Sequence, residues 1–218
     1  MTQNRIENIR ENYDRIADDY AHKLFHELEH KPFDRGLLDR FAISVQSRGT
    51  VCDLGCGPGH IARFLHDAGV DVFGLDLSSQ MIAQARRLNP DIEFREGDML
   101  ALELEDGALA GIIAFYSIVN IPAESLPDAF REMHRVLKPD GLVLLSFHIG
   151  DEAIRPEELW GNRITMEFYK LQPQRIARLL ANAGFVIEDI VERDPYAPDV
   201  EFQSRRAYVF ARKAALQS

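Results

Sequence analysis

The chain has 218 residues, which suits one α/β domain with room for a small addition, and 46% are hydrophobic, enough for a sizeable core. The net charge of −10 argues against a nucleic-acid surface, because phosphate binding draws its affinity from clustered Lys and Arg. The pair Arg205-Arg206 is too short to supply such a cluster. Cys52 and Cys56 do not make up the four His or Cys ligands of a zinc site, and a disulfide between them would oppose strand-to-loop geometry. The expectation is a reduced, cytoplasmic protein without a bound metal. Residues 1–15 are polar and charged, unlike a signal peptide, and no apolar run reaches membrane-spanning length.

In chain order, residues 4–20 predict a helix, because Ile6, Ile9, Tyr13, Ile16 and Tyr20 recur at three- and four-residue intervals. A second helix follows Pro32, with Leu37, Leu38, Phe41 and Val45 inward. Residues 50–54 read as a short buried strand, ended by Gly55-Cys56-Gly57-Pro58-Gly59. A helix over 60–68 follows, closed by Gly69. Strands over 70–75, 92–95, 109–116 and 142–147 alternate with helices over 79–88 and 125–137, and Lys138-Pro139-Asp140-Gly141 reads as a turn. Residues 149–171 are loop-rich. A helix over 173–183 and strands near 185–191 and 206–212 complete the chain.

This alternation predicts a Rossmann-like, doubly wound and mostly parallel seven-stranded sheet, with an antiparallel last strand and an N-terminal helical cap. One domain is expected: a cap over 1–48, a cofactor-binding core over 49–148, a lid over 149–172, and a C-terminal helix with strands over 173–218.

The first strand-helix junction carries the strongest chemical signal. In a doubly wound sheet the ligand lies at the carboxyl ends of the strands, where glycines admit it close to the backbone and a helix N-terminus offers free amides. Asp76 ends the second strand, near the offset at which an acidic side chain accepts hydrogen bonds from a ribose diol. Ser78 or Ser79 serves better than Asp76 as cap of the next helix. Gly97-Asp98-Met99 follows the third strand, and Tyr116 ends the fourth.

These residues resemble class I S-adenosylmethionine-dependent methyltransferases. Asp53, Gly55, Gly57 and Gly59 are similar to the D-x-G-C-G-x-G form of their first motif, with Cys56 in the loop, and Arg135 to Gly141 resembles the family's R-V-L-K-P-G-G segment with Asp140 in place of the first glycine. Tyr13-Asp14-x-x-Ala17-x-x-Tyr20 is similar to the family's N-terminal helix. The resemblance implies S-adenosylmethionine as cofactor: Asp53 near its ammonium, Asp76 on the ribose, Leu77 and Met99 against adenine, Asp98 on the adenine amino group, and Tyr20 over the methionine end. It implies Tyr116 beside the methionine part and the acceptor.

Methyl transfer from a sulfonium is an in-line displacement governed mainly by positioning, and a base is needed only for a nucleophile that keeps its proton. Tyr116 and His148, at the ends of the fourth and fifth strands, are the candidate catalytic groups, and His148 has the more suitable intrinsic pKa. The expected partner is a small-molecule methyl acceptor, with no nucleic acid and no membrane. Two alternatives stay open. One is a non-catalytic S-adenosylmethionine-binding protein. The other is an NAD-linked oxidoreductase, disfavoured because position 60 is His where the dinucleotide pattern requires Gly, and because Asp53 would repel a pyrophosphate.

Overall fold

The computed structural model describes residues 3–215. Helix α1 (Gln3–Leu24) and, after a 3-10 turn over Glu27–His30, helix α2 (Pro32–Val45) precede the sheet. Pro32 opens α2, where a missing amide hydrogen costs nothing. Strand β1 (Val51–Leu54), helix α3 (His60–Asp67), β2 (Val72–Asp76), α4 (Ser79–Leu88), β3 (Glu93–Glu96) and β4 (Leu109–Phe115) build the first half. A 3-10 turn over Ile118–Asn120, helix α5 (Leu126–Val136) and β5 (Leu137–His148) follow. Four two-residue strands come next: β6 (Ala153–Ile154), β7 (Glu158–Leu159), β8 (Asn162–Arg163) and β9 (Phe168–Tyr169). Helix α6 (Pro173–Asn182), β10 (Phe185–Arg193) and β11 (Arg206–Lys213) end the chain.

Seven strands form one sheet in the order β10-β11-β5-β4-β1-β2-β3. All pairings are parallel except those of β11, which runs against both β5 and β10. Every residue of β4 is buried, the continuous apolar run of a parallel strand covered on both faces. One face packs under α5 and α6 through residues such as Phe130, Met133, Ile176 and Leu180. The other packs under α2, α3 and α4 through Phe41, Leu65 and Ile82. Fully burying side chains of this size contributes about 1.5–3 kcal/mol each, before chain entropy is set against it. Strand order reverses between β1 and β4, so a crevice opens beyond their carboxyl ends.

One expectation needs correction. Residues 138–141 are not a free turn before the fifth strand. Leu137 already pairs with Leu109, the register then shifts, and pairing resumes at Leu142 with Gly111. Asp140 lies inside this irregularity at φ 65°, a left-handed conformation that suits the glycine of the related motif and that Asp tolerates. Arg48 and Arg212 both donate to the Asp140 carbonyl and hold it there.

Helix α1 lies across α4, with Ile16 and Ala17 buried against Met81. The same cluster takes in Ile164 and Met166 from the segment after β8. Polar contacts reinforce the join. Asn12 accepts from the Thr165 amide at 2.9 Å, Arg15 donates to the Arg163 carbonyl at 2.8 Å, and Asn162 donates to Asp19 at 2.8 Å. The first helix and the β7–β8 hairpin are therefore strapped to each other as well as to the sheet. No helix among the described residues is long and apolar enough to cross a membrane.

Candidate functional site

A cleft of roughly 760 Å³, open solvent at its mouth included, lies where the switch point predicts it. Its floor is the ends of β1, β2 and β4, with Gly55, Gly57, Asp76 and Tyr116. Leu77, Asp98 and Met99 form one side. Ile6, Ile9, Tyr13 and Tyr20 of α1 form the roof.

Asp76 organises the floor. One carboxylate oxygen accepts from the Gly57 amide at 2.8 Å and the other from the Ser78 amide at 2.9 Å. Burial dominates and raises its pKa, with the two amides opposing. Ser78 is the cap of α4, taking the Met81 amide at 3.1 Å, so the cap role falls where the sequence places it. Asp14 accepts from the Ser78 hydroxyl at 2.6 Å and from the Gln80 amide, which ties α1 to the same helix start.

The glycines of the loop divide by function. Gly57 sits at φ +51°, and a side chain there would meet nothing nearer than the Tyr20 ring at 3.7 Å, so its backbone faces open space. Gly59 caps α3 at φ +82°, and a Cβ there would strike the Phe94 ring at 2.7 Å. Gly59 therefore packs the loop against β3 and does not line the cleft. Cys56, buried behind the loop, does not line it either.

Asp53 differs from the expected contact with a cofactor ammonium. It is 1% exposed, lies off the cleft wall, and accepts from the Ala62 amide at 3.0 Å, inside the first turn of α3. It satisfies a helix N-terminus from within the core. Burial pushes its carboxyl up to about 7, with His60 and the Ala62 amide opposing. The unfolded chain ionises this group near pH 4, so ionisation favours unfolding and stability falls as pH rises from about 4 to about 7, then levels. Asp53→Asn keeps an acceptor for Ala62 and removes the titration. The stability gap between variant and wild type, from urea melts, should widen in the variant's favour across that window. A gap independent of pH would show that Asp53 is ionised in the fold throughout.

The two candidate catalytic groups also differ from expectation. Tyr116 lines the cleft at φ 55°, but its hydroxyl bonds to the Tyr208 hydroxyl at 3.0 Å, behind the cleft. Burial raises its pKa further from any use as a base. His148 does not line the cleft. Its Nδ1 bonds to Ser204 at 2.6 Å, and its ring packs 5.1 Å from Tyr116 and 5.9 Å from Phe202. Burial, with Arg206 nearby, lowers its pKa to about 4. His148 is a neutral packing and hydrogen-bonding residue behind Tyr116. Its position at a strand end is as predicted, but the side chain turns toward the 201–206 segment.

Several further residues hold the site together. Asn120 accepts from the Tyr13 hydroxyl at 2.6 Å and donates to the Glu167 carbonyl at 2.8 Å, pinning roof and lid segment to the end of β4. Trp160, at φ 52°, packs edge-on to Tyr20 with centroids 5.7 Å apart. Behind Tyr116 lies a buried ionic group: Asp34 accepts from Arg193 at 2.8 Å and from the Tyr208 hydroxyl, and Glu201 accepts from Arg193 and pairs with Arg206.

A doubly wound sheet whose second strand ends in an acidic side chain over a glycine loop is an arrangement that suits an adenosine-type cofactor. Residues 51–141 match the family model described as a methyltransferase domain. The chain is 32% identical over 148 residues to the malonyl-[acyl-carrier protein] O-methyltransferase of Enterobacter lignolyticus, covering 66% of this chain and 58% of that protein. It is 33% identical over 113 residues to the demethylmenaquinone methyltransferase of Beutenbergia cavernae, covering 51% and 45%. The chain thus spans about half the length of these curated relatives. Among solved structures, the DhpI–SAH complex shares the fold over 98% of this chain and 99% of that one, with a TM-score of 0.75 at 19% identity. Residues 51–141 thus form a methyltransferase-like domain, of the class whose cofactor is S-adenosylmethionine.

Proposed function

We propose that the protein transfers a methyl group from S-adenosylmethionine to a small-molecule acceptor. The observation that carries this reading is Asp76, on the cleft wall with both carboxylate oxygens anchored to loop amides beside the open backbone of Gly57. A carboxylate so fixed keeps lone pairs for a ribose diol. Leu77 and Met99 offer apolar faces for an adenine, and Asp98 an acceptor for its amino group. Tyr13 and Tyr20 close the roof over the opposite end. The two curated relatives are named for acting on an acyl-carrier-protein-bound malonyl group and on a demethylmenaquinone, which supports an acceptor that is not a nucleic acid.

S-adenosylmethionine, when bound, supplies an electrophilic methyl on a sulfonium whose departure as a neutral thioether needs no acid. The chain contributes position and exclusion of water. Among the described residues, the titratable side chains lining the cleft are Tyr13, Tyr20, Asp76, Asp98 and Tyr116. Burial raises all three tyrosines, so none serves as a base at neutral pH. In this reading Asp76 is taken up by the ribose, and Asp98, which also accepts from the Leu100 amide at 2.9 Å, by the adenine amino group. The nucleophile is therefore an atom that arrives with a free lone pair, such as a neutral amine, a thiolate, a carboxylate or a stabilised carbanion.

The test is a metabolite panel incubated with methyl-labelled S-adenosylmethionine and purified protein. Label transferred to one acceptor class, and lost in Asp76→Ala, establishes the activity. Tight cofactor binding without transfer to any acceptor would favour a non-catalytic S-adenosylmethionine-binding protein.

The roof implies an order of events. Residues 3–24 and 151–166 would cover the bound cofactor as one unit, because Asn12, Arg15 and Asp19 strap the helix to the hairpin. Hydrogen exchange in both segments should slow together when S-adenosylhomocysteine binds. Slowing confined to one segment would show that the two move separately.

A further inference from the structure

A second cleft adjoins the first and shares Ile9 and Asn120 with it. Its chemistry is concentrated in Arg5, Asn8, Arg155, Thr165 and Glu167. The Glu167 carboxylate is gripped on both oxygens: Arg155 donates to Oε1 at 2.5 Å, while Arg5 and the Tyr169 hydroxyl donate to Oε2. One guanidinium per oxygen plus a phenol is a set of donors built around a planar carboxylate. The arginines come from places far apart in sequence, one on the roof helix and one between β6 and β7. They meet on a carboxylate whose own backbone carbonyl is held by Asn120, at the boundary with the cofactor cleft.

We propose that this second cleft is the anchor for a carboxylate carried by the methyl acceptor, and that Glu167 occupies the anchor until the acceptor displaces it. The proposal rests on the methyl-transfer reading and adds the acceptor's class: a small carboxylic acid, held by Arg5, Arg155 and Tyr169, with its nucleophilic atom directed past Asn120.

Three features support the exchange. The grip on Glu167 is wet, with the Arg155 side chain 66% exposed and that of Arg5 34%, and such pairs are weakly held. Displacement costs little in geometry, because the Glu167 side chain is itself one quarter exposed and has water to turn into. Among the described residues the other charge lining the cleft is Glu157, exposed and outside the described ion pairs; with Glu167 turned out, the two arginines outweigh it. The remaining wall, Asn8, Thr165 and Ile164, is neutral and suits an uncharged body for the acid.

The experiment follows backbone amide NMR shifts of the full chain, saturated with S-adenosylhomocysteine, during titration with sodium benzoate and sodium succinate. Chloride-matched titrations and inorganic phosphate serve as controls. Both carboxylates should shift the amides around Asn120 and Tyr169, and chloride should not. Glu167→Gln removes the internal competitor while keeping its shape, and should tighten carboxylate binding about tenfold, the factor by which a mostly occluded site weakens its ligand. Arg155→Ala, at an exposed position, should abolish it, and Arg155→Lys should restore only part, since an ammonium lacks the fork. Cofactor-product affinity and melting temperature should stay at wild-type values in all three variants. The proposal is overturned if Glu167→Gln binds carboxylates no more tightly than wild type, if Arg155→Ala binds them equally well, or if phosphate outcompetes them. Failure of S-adenosylhomocysteine to bind the wild type would instead overturn the methyl-transfer reading, and carboxylate titration without it would still report on the anchor.

Discussion

Asp76→Ala should weaken S-adenosylhomocysteine binding by about 1.5–3 kcal/mol per hydrogen bond lost to a charged acceptor, or roughly ten- to a hundredfold and more in affinity. Two losses coincide. The ribose loses its acceptor, and the Gly57 and Ser78 amides lose the group that fixes the loop. Asp76→Asn separates them. One amide oxygen can still hold Gly57, but an NH₂ then faces the Ser78 amide or the ligand, so an intermediate affinity is expected. Calorimetry on the three proteins decides the matter. Wild-type affinity in Asp76→Ala would show that the cofactor's ribose is held elsewhere.

A loss of about 3–5 kcal/mol in unfolding free energy is expected for Asp34→Ala, although Asp34 lies outside both clefts. Asp34 is fully buried and accepts from Arg193 and the Tyr208 hydroxyl, and the Arg193 side chain is only 9% exposed. Removing one member of a buried ion pair leaves a desolvated charge without its partner, which costs more than the pair ever contributed. Glu201 stays on Arg193 and should keep the loss toward the lower end. The effect should extend to the site, because Tyr208 bonds to Tyr116, whose ring lines the cofactor cleft. Urea titration gives the stability, and cofactor-product affinity measured on the folded fraction gives the second part. A loss below about 1 kcal/mol would mean that water reaches Arg193 in the variant.

The sequence made the sheet legible because its signals are local. Ile6, Ile9, Tyr13, Ile16 and Tyr20 repeat at helical spacing, and β4 is a seven-residue apolar run that only a covered strand accommodates. Asp76 was legible because its distance from the glycine loop is a consequence of strand and helix length. Orientation was not. Strand position puts His148 at the carboxyl edge, but whether the ring faces the crevice or the 201–206 segment depends on Ser204 and Phe202, more than fifty residues away. Asp53 reads as a ligand-facing acid from its motif, and only the path of α3 shows it capping Ala62 from inside. The strands β6 to β9 are two residues long, too short for any period to register. The contacts Arg5–Glu167 and Asp34–Arg193 join positions about 160 apart, and no pattern within either segment anticipates its partner.

The chain contains a single tryptophan, and it stands at the edge of the roof against Tyr20. Trp160 is half-buried there, at the tip of the β7–β8 hairpin strapped to α1. Indole emission responds to polarity, so its intensity and colour follow the wetness of this one spot, without contributions from a second indole. The proposed closure of the cover would thus carry a built-in optical reporter. Stopped-flow mixing with cofactor can time the motion in unlabelled protein, and separate a slow conformational phase from the concentration-dependent encounter that precedes it.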